Sequence, residues 1–120
     1  MNIEIFRNYC ILKKGVTESF PFPRLPNVLV FKVADKMFTA TDVTTFESIS
    51  LQCNSEYIDE LRAKYSAITK HKYFSERHWS IFFMDNSIPD KILFEWIGNS
   101  YEITVSKLTK KVQAELKSGT

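Results

Sequence analysis

Apolar residues recur at helical spacing near the start of the chain. Ile3, Phe6 and Cys10 lie on one stripe that runs on to Lys13, and Ile5, Tyr9 and Leu12 widen it. The spacing predicts a helix over 2–13, with Asn2 placed to cap it and Gly15 to stop it behind Lys13 and Lys14. Residues 16–27 (VTESFPFPRLPN) read as a loop, because Pro21, Pro23 and Pro26 lack an N–H and push their predecessors extended. Phe20 and Phe22 are expected to pin that loop to the core. Val28–Val33 then alternates as a strand, with Leu29, Phe31 and Val33 on one face and Val28, Val30 and Lys32 on the other. Asp35 and Lys36 suggest a tight turn, and 37–41 the returning arm of a hairpin. In 48–53, Ile49, Leu51 and Cys53 alternate with Ser50 and Gln52, as in a sheet with one wet face.

Asn54 or Ser55 is placed to cap a second helix running to about residue 65, with Ile58, Leu61 and Tyr65 as its seam. Residues 66–78 read as irregular and basic, and 79–84 (WSIFFM) as a buried strand. Ser87-x-x-Asp90, with Pro89 between, resembles a capping box opening a helix whose apolar face is Leu93, Trp96 and Ile97. Gly98-Asn99 is expected to end or kink it, and Asn99-x-x-Glu102 to restart it as far as Leu108. Thr109 then caps a last basic helix carrying Val112 and Leu116. The order α-β-β-β-α-β-α lacks the β-α alternation of a parallel sheet. The expected fold is therefore α+β, a single two-layer domain over 1–120 with helices packed on an antiparallel sheet.

A chain of 120 residues, 44% hydrophobic and 25% charged, suffices for one core without staples. Aromatic residues make up 14%, ten of them Phe, so an aromatic-rich core is expected. Cys10 and Cys53 form no CxxC pair and read as small buried hydrophobes. The N-terminus carries no apolar signal region, and no stretch approaches the roughly 20 apolar residues of a membrane span. A cytoplasmic monomer without membrane contact is expected.

The net charge of +2 is uninformative, but its distribution is not. Residues 42–61 carry five acids and no base, whereas 62–78 carry Arg62, Lys64, Lys70, Lys72 and Arg77 against Glu76 alone. The segment 79–106 is acidic again, and the tail returns Lys107, Lys110, Lys111 and Lys117. Such blocks fold into either a two-faced or an intermixed surface.

With three Gly in the whole chain, neither a dinucleotide fingerprint nor a phosphate loop exists. There is no HExxH, and His71 and His78 have no Cys or other His near them to make a metal set. No cofactor, no metal and no catalytic residue is assigned, and the expectation is a non-enzymatic protein. One constellation carries chemistry: Lys70-His71-Lys72-Tyr73-Phe74-Ser75-Glu76-Arg77-His78-Trp79. Lys and Arg neutralise phosphates and aromatic rings stack on bases. Lys32 and Lys36 on the hairpin form a second basic point.

Several segments together carry a resemblance. They include Phe6-Arg7-x-Tyr9-Cys10, Gly15-Val16-Thr17-Glu18-Ser19-Phe20-Pro21-Phe22, and Leu29-Val30-Phe31-Lys32-Val33-x-Asp35-Lys36-Met37-Phe38. Ser50-Leu51-Gln52-Cys53-Asn54, Glu60-Leu61-Arg62, Arg77-His78-Trp79, Ile88-Pro89-Asp90 and Ser100-Tyr101-x-x-x-Val105-x-x-Leu108 follow in order. The chain resembles the MmcQ/YjbR family of small bacterial proteins nearly end to end. The resemblance implies a CyaY-like antiparallel α+β fold and a double-wing arrangement of the kind that binds DNA. Carried over by position, Lys32, Lys36, Arg77, His78 and Trp79 become candidate contacts, joined by Lys70 and Lys72 from the basic segment. Two features depart from the family pattern: the approach Tyr73-Phe74-Ser75-Glu76-Arg77 contains an acid and no Gly, and Pro23-Arg24-Leu25-Pro26 replaces a Gly-containing turn. DNA is the first expected partner. A protein partner, met through a sheet face with Phe46 or Tyr73 exposed, is the second. An enzyme with a pocket gathering Trp79, His78 and an acid is the third.

Overall fold

The computed structural model describes residues 1–118, so the last two positions of the expected domain lie outside the described residues. Helix α1 (Ile3–Ile11) leads into β1 (Val16–Ser19), β2 (Val28–Val33), β3 (Lys36–Asp42) and β4 (Ser48–Gln52). Then follow α2 (Ile58–Lys64), β5 (Ile68–Lys70), β6 (Trp79–Phe83), α3 (Asp90–Ser106) and α4 (Lys110–Ser118). The strands form one six-stranded antiparallel sheet in the order β1-β2-β3-β4-β6-β5. The expected single α+β domain, with helices on an antiparallel sheet, is what the structure shows.

The inner face of the sheet carries Leu29, Phe31, Ile49, Leu51 and Phe82, all buried against Phe6 and Cys10 of α1 and Leu93 and Ile97 of α3. Phe6 meets Phe31 edge to face at 5.7 Å. Burial pushes both thiols, Cys10 and Cys53, up to about 12. Neither is bonded, which fits the reading of both as small core hydrophobes. Asn2 caps α1 as expected, accepting from the Ile5 N–H at 2.9 Å, and Thr109 caps α4, accepting from the Val112 N–H at 3.2 Å.

Several expectations are corrected. Residues 16–27 are not all loop, because 16–19 pair with β2 as an edge strand before the prolines intervene. Residues 66–78 likewise contain β5, which pairs with β6. Both strands are short and lie at sheet edges, where one ladder of backbone bonds holds them without a strong apolar pattern. The hairpin turn is Ala34-Asp35 rather than Asp35-Lys36, since both have positive φ (46° and 65°), as a two-residue type I′ turn requires. Helix α2 opens at Ile58, later than expected. Asn54 instead accepts from the Glu56 N–H in a turn, and no side chain caps the helix. The capping box at Ser87 does not form: Ser87 donates its N–H and hydroxyl to Asp85, at 2.9 and 2.6 Å, and Asp90 pairs with the N-terminal ammonium at 3.1 Å. Helix α3 runs unbroken through Gly98 and Asn99, with Tyr9 of α1 and Lys13 beyond its end packed beside Gly98.

Where α3 crosses the sheet, a hydroxyl enters the strand ladder. Phe38 is an extra residue in β3, since Phe31 pairs with Thr39 but Lys32 with Met37. Beyond Thr39 and Leu51, the direct pairing of β3 with β4 stops. There the fully buried Ser100 accepts from the Gln52 N–H at 2.9 Å and donates to the Phe38 carbonyl at 2.5 Å. The Gln52 amide donates to Thr104 Oγ1 at 2.9 Å and to the Met37 carbonyl at 3.2 Å, and Lys107 Nζ donates to its Oε1 at 2.9 Å. This polar seam sits at the end of the sheet where the candidate residues also lie.

Candidate functional site

Antiparallel pairing decides which turns share an end of the sheet. Val33 pairs with Lys36, Gln52 with Trp79, and Lys70 with Ser80. The β2–β3 hairpin, the end of β4, the start of β6 and the end of β5 therefore meet at one end. Lys32, Lys36, Lys70, Lys72, Arg77, His78 and Trp79 all belong to that end. Four inter-strand steps separate Lys32 on β2 from Lys70 on β5, a span of roughly 19 Å at about 4.8 Å per step. Lys36, Lys70, Lys72, Arg77 and His78 are exposed, and Lys32 is half-buried. Among the described residues none of these Lys and Arg side chains forms an ion pair. The tail joins the same end: Leu116 of α4 and Val33 both lie beside Gly15, and Lys14 Nζ donates to the Lys117 carbonyl at 2.8 Å. The opposite end holds Asp42 opposite Val28, the Glu47 backbone bonded to Met84, and Asp85 in the following turn. The alternating charge blocks of the sequence are thus only partly sorted between the two ends: Asp35 lies in the hairpin turn of the basic end, and Asp59 and Glu76 line a surface pocket with Lys70 and Arg77.

The 70–79 segment is built around His71, which is buried. Its Nδ1 accepts from the backbone N–H of both Tyr73 and Phe74, each at 3.1 Å. A nitrogen accepting two N–H bonds carries the lone pair, so in the neutral ring Nε2 carries the proton and donates to Ser50 Oγ at 2.8 Å. Burial lowers the His71 pKa from its ordinary value, which favours the neutral ring. Phe74 stacks on the imidazole at 4.3 Å, and Trp79 packs against Phe74 at 5.1 Å. Arg62 clamps the same segment, donating to the carbonyls of Glu76 and Trp79 at 2.5 and 2.9 Å and to Ser80 Oγ at 3.1 Å. These contacts leave Lys72, Tyr73, Arg77 and His78 facing solvent, Tyr73 at 82% exposure.

The outer face of the sheet is not simply wet. The 20–27 loop and the 71–74 turn rise on either side of it and enclose a cleft of about 370 Å³. Its floor includes Val28, Ala40, Ser50 and Ile81, and its walls include Phe22 and Leu25 on one side and His71, Tyr73 and Phe74 on the other. Phe22 therefore turns into this cleft, while Phe20 stays 54% exposed and does not pin the loop. Ser50 and His71 are spaced like a nucleophile and its base, yet the polarity is reversed. His71 donates to Ser50 and has no lone pair facing it to accept the hydroxyl proton.

A family model described as YjbR matches residues 12–103. The chain belongs to the YjbR family. The Escherichia coli K12 protein described as uncharacterized protein YjbR is 26% identical over 112 residues, covering 92% of this chain and 93% of that protein. A solved structure from Deinococcus radiodurans, of a protein with the domain DUF419, matches with a TM-score of 0.90 at 28% identity, over 97% of this chain and 88% of that one. A Pseudomonas syringae structure shares the fold, with a TM-score of 0.74 at 21% identity over 87% of this chain and 99% of that one.

The YjbR fold brings all seven candidate residues to one end of the sheet but gives them different surroundings. Trp79 is half-buried against Phe74, and its carbonyl is held by Arg62, so it serves the packing of the segment. Phe46 does not contribute an exposed patch either, because its ring packs on Phe6 at 5.5 Å. Neither Trp79 nor His78 lines the outer-face cleft, whose acid is Asp42 at its rim. Sequence reasoning missed the cleft altogether. Its signals were present but weak: Leu25 and Phe22 are apolar residues inside a proline-rich loop, and Ser50 is a small residue on the supposedly wet face.

Proposed function

We propose that this protein is a non-enzymatic binder of nucleic acid, acting as a cytoplasmic monomer through the basic end of its sheet. The supporting observation is the register, which gathers Lys32, Lys36, Lys70, Lys72 and Arg77 at one end without an ion-pair partner among the described residues. Unpaired Lys and Arg side chains over roughly 19 Å suit a polyanion, because each neutralised phosphate releases a counterion. The reversed polarity of the Ser50–His71 pair supports a role without chemistry. No three His, Cys, Asp or Glu side chains come together among the described residues. Among the described residues no helix is long and apolar enough to cross a membrane. Anisotropy titration of a labelled oligonucleotide at increasing salt tests the reading. With about five phosphate contacts, the affinity for duplex should fall with a log–log slope of about −4.5. Absence of binding at low salt, or affinity indifferent to salt, would reject it. A protein partner is the second reading, favoured by the exposed Leu25 and Tyr73 beside the cleft. Salt-insensitive capture of a partner, lost in Tyr73→Ala, would establish it.

A further inference from the structure

We infer that the outer-face cleft is a pocket for an unpaired base, so that this protein prefers single-stranded nucleic acid to duplex. The inference rests on the polyanion reading above and adds the substrate class. Four observations converge. The cleft, at about 370 Å³, falls in the lower part of the range usual for small-ligand pockets. Its lining is mostly apolar and aromatic, with Phe22 and Leu25 facing Tyr73 and Phe74 across the sheet floor. Stacking on such rings tolerates any base, because every base has a π-face. Polar groups are few and placed for base edges. His71 donates to Ser50 Oγ, and among the described residues the Ser50 hydroxyl hydrogen has no acceptor, so it is free to donate to a base carbonyl or ring nitrogen. Asp42 at the other rim offers a carboxylate oxygen to an exocyclic amino group, its Oδ1 being held by Thr44.

One charge lies where a strand backbone would pass. Lys72 stands between the cleft residues His71 and Tyr73 in sequence and is exposed, whereas Lys70 faces the α2 side of the sheet beside Asp59 and Glu76. A base entering between the two loops would leave its phosphates beside the Lys72 ammonium group. A duplex cannot supply that base without unpairing, whereas a single strand presents it at no such cost. Tyr73 stands edge to face with His71 at 6.3 Å and, at 82% exposure, leaves most of its ring open to an occupant of the cleft.

The test compares three labelled probes at one salt concentration: oligothymidine of about twelve nucleotides, an abasic deoxyribose-phosphate strand of equal length, and the blunt duplex. Oligothymidine should bind roughly tenfold or more tighter than the abasic strand, the scale on which removing one base–aromatic stack weakens binding. Tyr73→Ala and, separately, Phe22→Ala should erase that preference while keeping the salt dependence. Because Tyr73 is exposed, its truncation leaves the core untouched, which keeps the test valid should Phe22→Ala fold poorly. Lys32→Gln should weaken oligothymidine and the abasic strand alike. Equal affinity for those two strands, with steep salt dependence intact, overturns the base pocket and leaves the polyanion reading standing, as does a preference for duplex. No salt-dependent binding of any probe removes both.

Discussion

Replacing Ser100 with Ala would test how the end of the sheet that carries the basic residues is held. Among the described residues the hydroxyl of Ser100 alone bridges the Gln52 N–H and the Phe38 carbonyl, at 2.9 and 2.5 Å, and it is wholly buried. Ser100→Ala keeps the helix and nearly the same volume, yet strands two backbone groups facing each other across a gap too wide to bond. A buried polar group without a partner costs about 1–3 kcal/mol, so two groups give about 2–4 kcal/mol after partial relaxation. With a urea m-value of about 1.5 kcal/mol/M, the unfolding midpoint should fall by about 1.3–2.7 M at unchanged m. Urea denaturation followed by tryptophan fluorescence reads this directly, because Trp96 on α3 and Trp79 on β6 both leave packed surroundings. A midpoint within about 0.5 M of the parent would refute the reasoning. It would mean that β3 and β4 close and pair directly, so that the inserted hydroxyl is a convenience rather than a structural member.

Other outcomes follow from single contacts. Gly98 sits inside α3, and a Cβ there would meet its nearest neighbours, Tyr9 Oη and Lys13 Nζ, at 3.7 Å; Gly98→Ala should therefore stabilise the chain by about 1 kcal/mol, raising Tm by about 4 °C, and a fall in Tm would contradict the ordinary contact distance. The folded-state pKa of His71 is lowered from 6.5, chiefly by burial, so the stability it confers is present above 6.5 and lost as pH falls through the folded value. The Tm of the parent should then drop more steeply below that pH than the Tm of His71→Asn, whose side chain does not titrate; parallel curves would dismiss the buried neutral imidazole. If polyanion binding runs through the basic end, the triple change Lys70→Gln, Lys72→Gln and Arg77→Gln should reduce the duplex salt slope from about −4.5 to about −1.8, and an unchanged slope would relocate the contact.

The central elements were legible because their pattern is their cause. Leu29, Phe31, Ile49 and Leu51 alternate along strands since alternate side chains enter one core, and α1 announced itself through Phe6 and Cys10. The edge strands β1 and β5 were not legible, because Val16–Ser19 and Ile68–Lys70 gain order from the neighbouring ladder and bury little. Helix α3 passed through Gly98 for a reason no local window contains, namely the packing of α1 alongside. The basic segment was visible as composition, but its shape was not. Its fold depends on His71 receiving two backbone N–H groups and on Arg62 reaching three acceptors from another element. The outer cleft was hidden for the same reason, since it exists only when the 20–27 loop and the 71–74 turn stand over the same strands.

The polarity of charge has a topological origin. In an antiparallel sheet each strand carries the chain from one end to the other, so successive connections alternate ends. The β2–β3 hairpin with Lys32 and Lys36 lies at one end; the β3–β4 connection with Asp42 and Glu47 lies at the other. The chain leaves β4 at the first end, and after α2 it crosses back along β5 to deliver Lys70 and Lys72 there again. Strand β6 then returns it to the acidic end at Asp85 and Asp90, and α3 carries it back to Lys107. Charge blocks that alternate in sequence at the period of the strand crossings thus become a partial separation in space, with Asp59 and Glu76 remaining beside Lys70 and Arg77. A net charge of +2 conceals this separation entirely. Shuffling the blocks without altering composition, for instance by exchanging Asp42 and Glu47 with Lys32 and Lys36, would preserve net charge and most of the core. It would also replace two of the five bases at the basic end by acids, and so weaken the salt-dependent affinity that the arrangement rather than the composition provides.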